Sequence, residues 1–225
     1  MKAMILAAGR GKRLRPLTDH TPKPLLKVGA YSLIEHTLHA LVKAGIRDIV
    51  INIAYLGESI KNGLGDGARY GARIIYSDEG EQALETAGGI RQALPLLGED
   101  PFLVVNGDIA SDYPYQRLTG LSDTAAHLIL VPNPPHHPAG DFALEQDRLT
   151  RAEQQRYTYS GIGLYHPRFF RHCPPGVQAL APLLYEAIAQ GRISGEIYRG
   201  FWMDIGTPER LAELRAKFDG AGCAS

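Results

Sequence analysis

Cysteine is scarce in this chain, because Cys173 and Cys223 are the only two among 225 residues. Two cysteines are too few for the disulfide framework of a small secreted protein. Free thiols in a reducing compartment are the simpler interpretation. No apolar run approaches the roughly 20 residues of a membrane span, and the short apolar start does not resemble a signal peptide. We therefore expect a cytoplasmic protein that does not associate with membranes.

Net charge is absent as well, since 24 Lys and Arg balance 24 Asp and Glu. This balance excludes a uniformly basic surface, so we expect no nucleic acid among the partners. The hydrophobic content of 44% and the charged content of 21% are those of an ordinary globular protein. The length fits one large domain. The oligomeric state is not fixed by the sequence, and a monomer is compatible with it.

Strands and helices alternate through the first half of the chain. Residues 1–7 and 46–53 are apolar runs typical of buried strands. Between them, Ser32 and Glu35 form a capping box that predicts the start of a helix. Similar β–α units recur as far as residue 131. This alternation predicts a Rossmann-like α/β fold, with a mostly parallel sheet and helices on both faces.

The pattern changes after residue 131. Residues 142–151 are expected to form a β-hairpin, and further strands are expected at 159–165 and 196–203. These elements predict a small antiparallel annex to the sheet. We expect a single domain over residues 1–218 and a flexible tail over 219–225.

A glycine-rich loop follows the first strand at residues 6–14. Gly9 and Gly11 allow close approach of a ligand, and successive N–H groups of such a loop can hold phosphate oxygens. A dinucleotide fingerprint is excluded because Leu14 stands where its third glycine is needed. A P-loop is excluded because Arg13 stands where it needs serine or threonine. On this loop alone, a turn that binds no ligand remains an alternative.

Lys23 lies between Pro22 and Pro24, shortly after this loop. Proline fixes its own backbone and pushes the preceding residue toward extended geometry, so Lys23 is on a stiff segment. A lone lysine is usually a solvated surface group. One held in this way beside a phosphate-binding loop is more often directed at an anion.

Asp108 and Asp204 each follow a predicted strand. Asp108 ends the sequence Asn-Gly-Asp at the carboxyl edge, where open α/β sheets bind ligands. A single aspartate in such a position is more often a turn or capping residue. Two of them together with a phosphate loop indicate a Mg²⁺ site, because Mg²⁺ takes one or two carboxylates in addition to substrate phosphates and water.

These motifs resemble those of the sugar-nucleotidyltransferase family. The family's first signature is Leu-Ala-Ala-Gly-x-Gly-Thr-Arg-Leu-x-Pro-Leu-Thr followed by Pro-Lys-Pro-Leu, and residues 6–26 match it except that Lys12 replaces the usual threonine. Asn-Gly-Asp at 106–108 and Trp-x-Asp-Ile-Gly-Thr-Pro-Glu at 202–209 match its metal-binding signatures. The recognisable similarity extends from residue 1 to about residue 214.

The resemblance implies a Mg²⁺-dependent enzyme that joins a nucleoside triphosphate to a sugar 1-phosphate and releases pyrophosphate. A nucleotide half over about 1–131 and a sugar-binding half over about 132–218 are implied. Arg13, Lys23 and Asp108 would be catalytic, and Asp108 and Asp204 would bind the metal. A sugar 1-phosphate is already anionic, so positioning and electrostatics would dominate. The residues of the loop implied to bind the nucleotide are Ala7, Ala8, Gly9, Gly11, Lys12 and Arg13.

Base and sugar candidates also come from the resemblance. Family members that use pyrimidines have a glutamine followed by a glycine-rich turn, which implies Gln82 and Gly88 here. A glutamine amide matches the imide edge of uracil or thymine, although an exposed loop glutamine is the alternative. Asn106, Gly140 and Glu153 are the candidates for sugar binding. The Lys-Pro that follows the glutamate in members that use glucose is missing.

Within the family, the short chain, the pyrimidine glutamine and the altered sugar segment are similar to the N-acetylmuramate 1-phosphate uridylyltransferases of bacterial cell-wall recycling. This similarity implies UTP as the donor. The lactyl carboxylate of N-acetylmuramate would need a cation, for which Arg151 and Arg156 are candidates. The alternatives are a glucose- or mannose-1-phosphate nucleotidyltransferase that uses UTP, dTTP or GTP, and a catalytically inactive nucleotide-sensing domain. Retention of the catalytic and metal-binding candidates argues against the inactive domain.

Overall fold

The computed structural model describes residues 1–121 and 124–221. Its strands are β1 (Lys2–Leu6), β2 (Lys27–Val28), β3 (Tyr31–Ser32), β4 (Asp48–Ile53), β5 (Arg73–Asp78), β6 (Phe102–Asn106), β7 (Ile109–Ser111), β8 (Ala126–Val131), β9 (Phe142–Glu145), β10 (Arg148–Thr150), β11 (Arg156–Tyr165), β12 (Ile193–Ile197) and β13 (Trp202–Asp204). Its α-helices are α1 (Leu33–Lys43), α2 (Gly57–Leu64), α3 (Glu85–Leu97), α4 (Leu180–Ala189) and α5 (Pro208–Ala221).

A mixed sheet of nine strands organises these elements, in the order β5-β4-β1-β6-β11-β8-β12-β10-β9. The four strands at one end of this order, β5, β4, β1 and β6, run parallel to one another. β11 is antiparallel to both of its neighbours, and β12 returns parallel to β8. The expected Rossmann-like α/β fold is confirmed. The antiparallel strands of the second half extend the same sheet, because β11 pairs directly with β6, the last strand of the parallel part.

Helices cover both faces of the parallel part, as the β–α alternation predicts. The side chains of β1 and β4 alternate between two apolar clusters: Ile5 and Ile51 pack toward α1 and α2, whereas Met4 and Val50 pack toward α3. α4 packs on the same face as α3. α5 packs through Leu211 and Leu214 against the first loop and the segment after β13. Burial on both faces explains why these strands are almost continuously apolar.

Local expectations can be compared with the elements one by one. The capping box is confirmed, because the Ser32 N–H donates to Glu35 Oε2 at 2.7 Å and the Ser32 side chain is paired with the Glu35 backbone. The hairpin is also confirmed as β9 and β10. The expected strand at 196–203 is wrong in its extent. The chain leaves the main sheet after Ile197, and the separate strand β13 pairs with β7 instead.

The sequence predicts a flexible tail over residues 219–225. α5 continues to Ala221. Residues 222–225, which include Cys223, lie outside the described residues, as do residues 122–123. None of the helices in the described ranges is both long enough and apolar enough to cross a membrane.

The carboxyl ends of β1 and β6 lie side by side, with Leu6 opposite Asn106. The Gly107 N–H continues the contact by donating to the carbonyl oxygen of Leu6 at 2.8 Å. A Cβ at position 107 would lie 2.6 Å from that oxygen, so the approach requires glycine. This junction brings the glycine-rich loop next to the Asn-Gly-Asp motif.

Candidate active site

A cleft of about 380 Å³ opens at this junction. Its walls come from the glycine-rich loop, from Lys23 and Pro24, and from the ends of β4, β5 and β6. Most of the residues predicted from the sequence meet here. Those that line the cleft are Ala7, Ala8, Gly9, Gly11, Lys12, Arg13, Lys23, Asn106 and Asp108.

The conformation of the loop depends on Gly11, which has a φ of +60°. Its carbonyl oxygen accepts hydrogen bonds from the Leu14 N–H and the Thr18 hydroxyl, both at 2.9 Å. A Cβ there would lie 3.0 Å from Thr18 Cγ2 and 3.1 Å from Lys23 Cβ. Close packing and left-handed backbone geometry therefore both favour glycine. The turn holds the loop against the segment that carries Lys23.

Lys23 is buried and forms an ion pair with Asp108, which is half-exposed and faces the cleft. A short 3₁₀ turn over Lys23–Leu25 places the lysine, with Leu26 N–H donating to the Lys23 carbonyl at 3.1 Å. The pair joins the first loop to the end of β6. Lys23 also lines the cleft itself, so its ammonium group lies where a bound anion would meet it, and in this structure Asp108 balances its charge.

Asp204 lies beside Asp108 through the pairing of β7 with β13. Asp204 is opposite Ile109, and the Ile205 N–H donates to the Asp108 carbonyl at 2.8 Å. The Asp204 carboxylate is held by Arg210 Nη1 at 2.6 and 2.7 Å, and His136 Nε2 lies 2.9 Å from its Oδ1. The two predicted metal-binding residues are thus adjacent, and each carboxylate has a cationic neighbour.

Gly206 allows the side chains of two arginines, Arg210 and Arg13, to lie close to the backbone after Asp204. A Cβ at that position would lie 2.2 Å from Arg210 Nη2 and 3.1 Å from Arg13 Nη2. The glycine therefore leaves room for both guanidinium groups next to the Asp204 motif. Arg13 is exposed at the cleft, as expected for a residue that meets a charged ligand.

The donor set of Asp108 and Asp204 fits a Mg²⁺ ion. Both side chains offer anionic oxygen, which is the ligand type that Mg²⁺ prefers. Across residues 1–121 and 124–221, no group of three or more His, Cys, Asp or Glu side chains could hold a metal. The remaining ligands would therefore be phosphate oxygens and water, which is the usual arrangement for Mg²⁺ in enzymes that act on phosphates.

Asp204 and four other predicted residues are not among the residues that line the cleft. Gln82 is exposed in the loop between β5 and α3. Gly88 is buried in α3, where a Cβ would lie 2.1 Å from the Gly176 carbonyl oxygen, and its N–H donates to Gln178. Gly140 has a φ of +61° before β9, and Glu153 is exposed between β10 and β11. The packing of α3 therefore accounts for the glycine at position 88.

A second cavity of about 440 Å³ shares Glu85, Thr86 and Asn106 with the cleft. It continues toward the antiparallel strands, where Asp141 lies directly after Gly140. Its other wall residues are mostly apolar or aromatic, namely Phe142, Tyr159, Ala179, Leu180, Ala181, Leu184 and Tyr185. A polar edge on an aromatic wall suits a sugar ring, which has hydroxyl groups at its rim and C–H groups on its faces.

Asn52 and Glu79 also line the cleft and were not among the predicted site residues. Asn52 Oδ1 accepts a hydrogen bond from the Ala7 N–H at 2.8 Å, and its Nδ2 donates to Glu79 Oε1 at 2.6 Å. Burial raises the pKa of Glu79, against the opposing effect of the hydrogen bonds from Leu84 N–H and Asn52. A signal was present in the sequence, because Asn52 is polar whereas its buried neighbours Ile49, Val50, Ile51 and Ile53 are apolar.

Comparison with known proteins gives a consistent result. The family model described as Nucleotidyl transferase matches residues 2–144. The chain is 52% identical to the N-acetylmuramate alpha-1-phosphate uridylyltransferase of Neisseria meningitidis serogroup B, over 96% of this chain and 97% of that protein. A protein of the same name from Caulobacter vibrioides is 35% identical over 96% of both chains. The mannose-1-phosphate guanylyltransferase catalytic subunit beta of Xenopus tropicalis is 31% identical over 93% of this chain and 62% of its own length.

Solved structures agree on the fold. A Bacillus anthracis protein assigned as a glucose-1-phosphate thymidylyltransferase superposes with a TM-score of 0.86 at 24% identity, covering 97% of this chain and 95% of that one. The inositol-1-phosphate CTP transferase of T. maritima gives a TM-score of 0.75 at 20% identity, covering 97% and 96%. At such identities the likeness concerns the fold alone. With the family model and the curated relatives, it leads to one conclusion: the chain belongs to the nucleotidyl transferase family.

Proposed function

We propose that this enzyme transfers the uridylyl group of UTP to N-acetylmuramate 1-phosphate, with Mg²⁺, and releases pyrophosphate. The observation that carries the proposal is the similarity to the Neisseria relative over 97% of that protein's length. The place of the reaction would be peptidoglycan recycling in the cytoplasm. One domain would perform it, with the cleft of the first half holding UTP and the cavity of the second half holding the sugar.

The proposed reaction forms one bond and breaks one. An anionic phosphate oxygen of the sugar 1-phosphate attacks the α-phosphorus of UTP. The bond from that phosphorus to the oxygen bridging to the β-phosphorus breaks, and pyrophosphate leaves with the electron pair. The attacking oxygen is already deprotonated at neutral pH, so no side chain needs to act as a general base. The residues of the cleft have to bring two polyanions together and stabilise the charge that develops in transfer.

Each part of the cleft has a role in this proposal. The N–H groups of the glycine-rich loop and the side chains of Lys12 and Arg13 would bind the triphosphate. Lys23 would stabilise charge on the reacting phosphates, since it reaches the cleft wall at Asp108. Asp108 and Asp204 would hold Mg²⁺, which supplies positive charge to the phosphate oxygens when bound.

The second cavity would receive the sugar, because it meets the triphosphate cleft at Thr86 and Asn106. Of the two candidate cations for the lactyl carboxylate, Arg156 is engaged with the backbone carbonyl of Asp141. The guanidinium of Arg151 lies 4.6 Å above the ring of Tyr185, a residue of the cavity wall. We therefore assign the lactyl carboxylate to Arg151.

Pyrophosphate release tests the proposal directly. UTP, dTTP, CTP and GTP would each be combined with N-acetylmuramate 1-phosphate, N-acetylglucosamine 1-phosphate, glucose 1-phosphate and mannose 1-phosphate. The highest kcat/KM is expected for UTP with N-acetylmuramate 1-phosphate. Preference for GTP with mannose 1-phosphate would favour the function named for the Xenopus relative instead. Failure of every combination in the presence of Mg²⁺ would reject an active transferase.

A further inference from the structure

A chain of hydrogen bonds runs through the wall of the cleft and connects its two loops. It starts at the Ala7 N–H, which opens the glycine-rich loop and donates to Asn52 Oδ1 at 2.8 Å. Asn52 Nδ2 donates to Glu79 Oε1 at 2.6 Å. Glu79 Oε2 then accepts from the Leu84 N–H at 2.7 Å. Two side chains on β4 and at the end of β5 therefore join the backbone of the first loop to the backbone of residues 80–84.

The direction of these hydrogen bonds is fixed by the two ends. Ala7 N–H and Leu84 N–H are backbone groups that can only donate. Asn52 must therefore turn its oxygen to Ala7 and its nitrogen to Glu79. Glu79 must accept on both oxygens, as an ionised carboxylate does. Any other arrangement of the two side chains leaves two donors or two acceptors facing each other.

Packing leaves these side chains little freedom. Asn52 is 3% exposed. A Cβ at Gly89 of α3 would lie 2.4 Å from Glu79 Oε1 and 3.0 Å from Asn52 Nδ2, so the helix backbone covers the contact closely. The Glu79 N–H is held as well, by the Ile53 carbonyl at 2.8 Å. On the far side, the Leu84 carbonyl accepts from the Gln178 N–H at 2.9 Å.

We propose that Asn52 and Glu79 are positioning residues that fix the loop of residues 80–84, which carries the base-binding candidate Gln82, relative to the triphosphate-binding loop. They act through backbone groups and do not touch the reacting atoms. The inference rests on the proposed function, because it requires that the cleft binds a nucleoside triphosphate across both loops. Its consequence is that base selectivity and phosphate placement depend on the same pair of side chains.

Exchanging the amide and the acid between the two positions, in the double variant Asn52→Asp with Glu79→Gln, tests this pair without changing its net charge. Each single variant breaks the chain of hydrogen bonds. Glu79→Gln turns an amide nitrogen toward another donor, either Asn52 Nδ2 or Leu84 N–H. Asn52→Asp places two carboxylates face to face. In the double variant, Asp at 52 accepts from Ala7 N–H and from the Gln at 79, whose oxygen accepts from Leu84 N–H. All three hydrogen bonds of the chain are then restored, with one negative charge as in the native pair.

Steady-state kinetics would be measured with UTP, with CTP and with N-acetylmuramate 1-phosphate. Each single variant is expected to raise KM for UTP by about tenfold, because a buried polar group loses its partner and the loop shifts. The discrimination between UTP and CTP is expected to fall as well, since the two bases differ at the edge that an amide of the loop would contact. KM for the sugar 1-phosphate is expected to stay within about twofold of native, since no contact of the pair reaches the second cavity. The double variant is expected to recover KM for UTP to within about threefold of native.

Gln92→Glu is the matched control, because its Nε2 donates to the Asp78 carbonyl at 2.6 Å, on the same strand end but outside the cleft. It is expected to leave KM for UTP unchanged. Thermal unfolding of all variants separates loss of fold from loss of position. The proposal is overturned if the double variant is no better than the weaker single variant, or if both single variants keep the native KM for UTP.

The positioning proposal can fail separately from the proposed function. If no sugar 1-phosphate is turned over, calorimetric titration with UTP still compares the UTP affinities of four proteins: the native enzyme, the two single variants and the double variant. Loss of UTP affinity in the single variants and recovery in the double variant would support the pairing even then. Equal UTP affinity in all four would overturn it.

Discussion

Arg210 contacts both carboxylate oxygens of Asp204 through one nitrogen, Nη1, at 2.6 and 2.7 Å. Arg210 is in the first turn of α5 and is largely buried, so the helix determines where the carboxylate points. Neighbours of this kind orient the side chains that bind a metal and tune their affinity. The last helix therefore contributes to the proposed metal site, although it supplies no carboxylate to it.

Replacement of Arg210 by Met is expected to raise the Mg²⁺ concentration for half-maximal rate by roughly tenfold, because Asp204 loses its orientation. Pyrophosphate release would be followed across a Mg²⁺ titration. Arg215→Met on the same helix is the control, since Arg215 donates to the Lys27 carbonyl and does not contact Asp204. An unchanged Mg²⁺ dependence in Arg210→Met would contradict this role.

Asp108→Asn and Asp204→Asn are each expected to lower kcat by at least about 10²-fold while the fold survives. Each exchange preserves the shape of the side chain and removes one of the two charges proposed to hold Mg²⁺. Pyrophosphate release would be compared with thermal unfolding of the same samples. Native rates in both variants at ordinary Mg²⁺ would exclude the proposed metal site.

Lys23→Ala is expected to lower kcat far more than it raises KM for either substrate. The lysine is buried at the cleft wall, where its charge is best suited to negative charge that grows during transfer. The two parameters would be determined separately for UTP and for the sugar 1-phosphate. An effect confined to KM would assign Lys23 to ground-state binding.

Glu35 gives a prediction about stability and pH. Burial alone would raise its pKa, but hydrogen bonds from Ser32, Lys27 and Tyr70 lower the pKa from 4.5 to about 2. A carboxyl with a lowered pKa stabilises the fold above its unfolded pKa, and this stabilisation is lost as the pH falls toward about 2. Glu35→Gln should therefore cost up to about 3 kcal/mol in the free energy of unfolding at pH 7.

The cost of Glu35→Gln should shrink steadily as the pH falls below 4.5, where the unfolded chain begins to bind the proton. Chemical denaturation of the native and variant proteins between pH 3 and pH 7 would measure the difference. A difference that does not vary with pH would show that the charge on Glu35 does not contribute.

Arg151→Met is expected to reduce the preference for N-acetylmuramate 1-phosphate over N-acetylglucosamine 1-phosphate by roughly tenfold, by removing one charge-assisted contact. The ratio of the two kcat/KM values measures this preference. Arg148→Met in the same hairpin is the control, because Arg148 donates to the Gly191 carbonyl, away from the cavity. If Arg151→Met keeps the native ratio, another group recognises the lactyl carboxylate.

The sequence predicts those features that are local in the chain. The glycine-rich loop, the capping box at Ser32 and the hairpin after Phe142 depend on residues within a few positions of one another, so their patterns are legible. The strand expected at 196–203 is wrong in extent. Its residues fall in two strands that pair with different partners, β12 with β8 and β13 with β7, and both partners are distant in the sequence.

Distant contacts also account for what was missed in the site. Asn52 meets Ala7 across 45 residues, and His136 meets Asp204 from a loop far away in the chain. Asn52 and His136 belong to none of the recognised motifs, and each looks like an isolated polar residue in the sequence. Gln82 and Glu153 stay predictions, since they come from family resemblance and lie outside the cleft wall.

The most direct test of the account is a competition between N-acetylmuramate 1-phosphate and glucose 1-phosphate, at equal concentration, with UTP and Mg²⁺. The ratio of the two UDP-sugars gives the ratio of the two kcat/KM values. We predict that UDP-N-acetylmuramate predominates by about tenfold or more, because the lactyl carboxylate gains a contact that glucose lacks. Predominance of UDP-glucose would contradict the proposed acceptor.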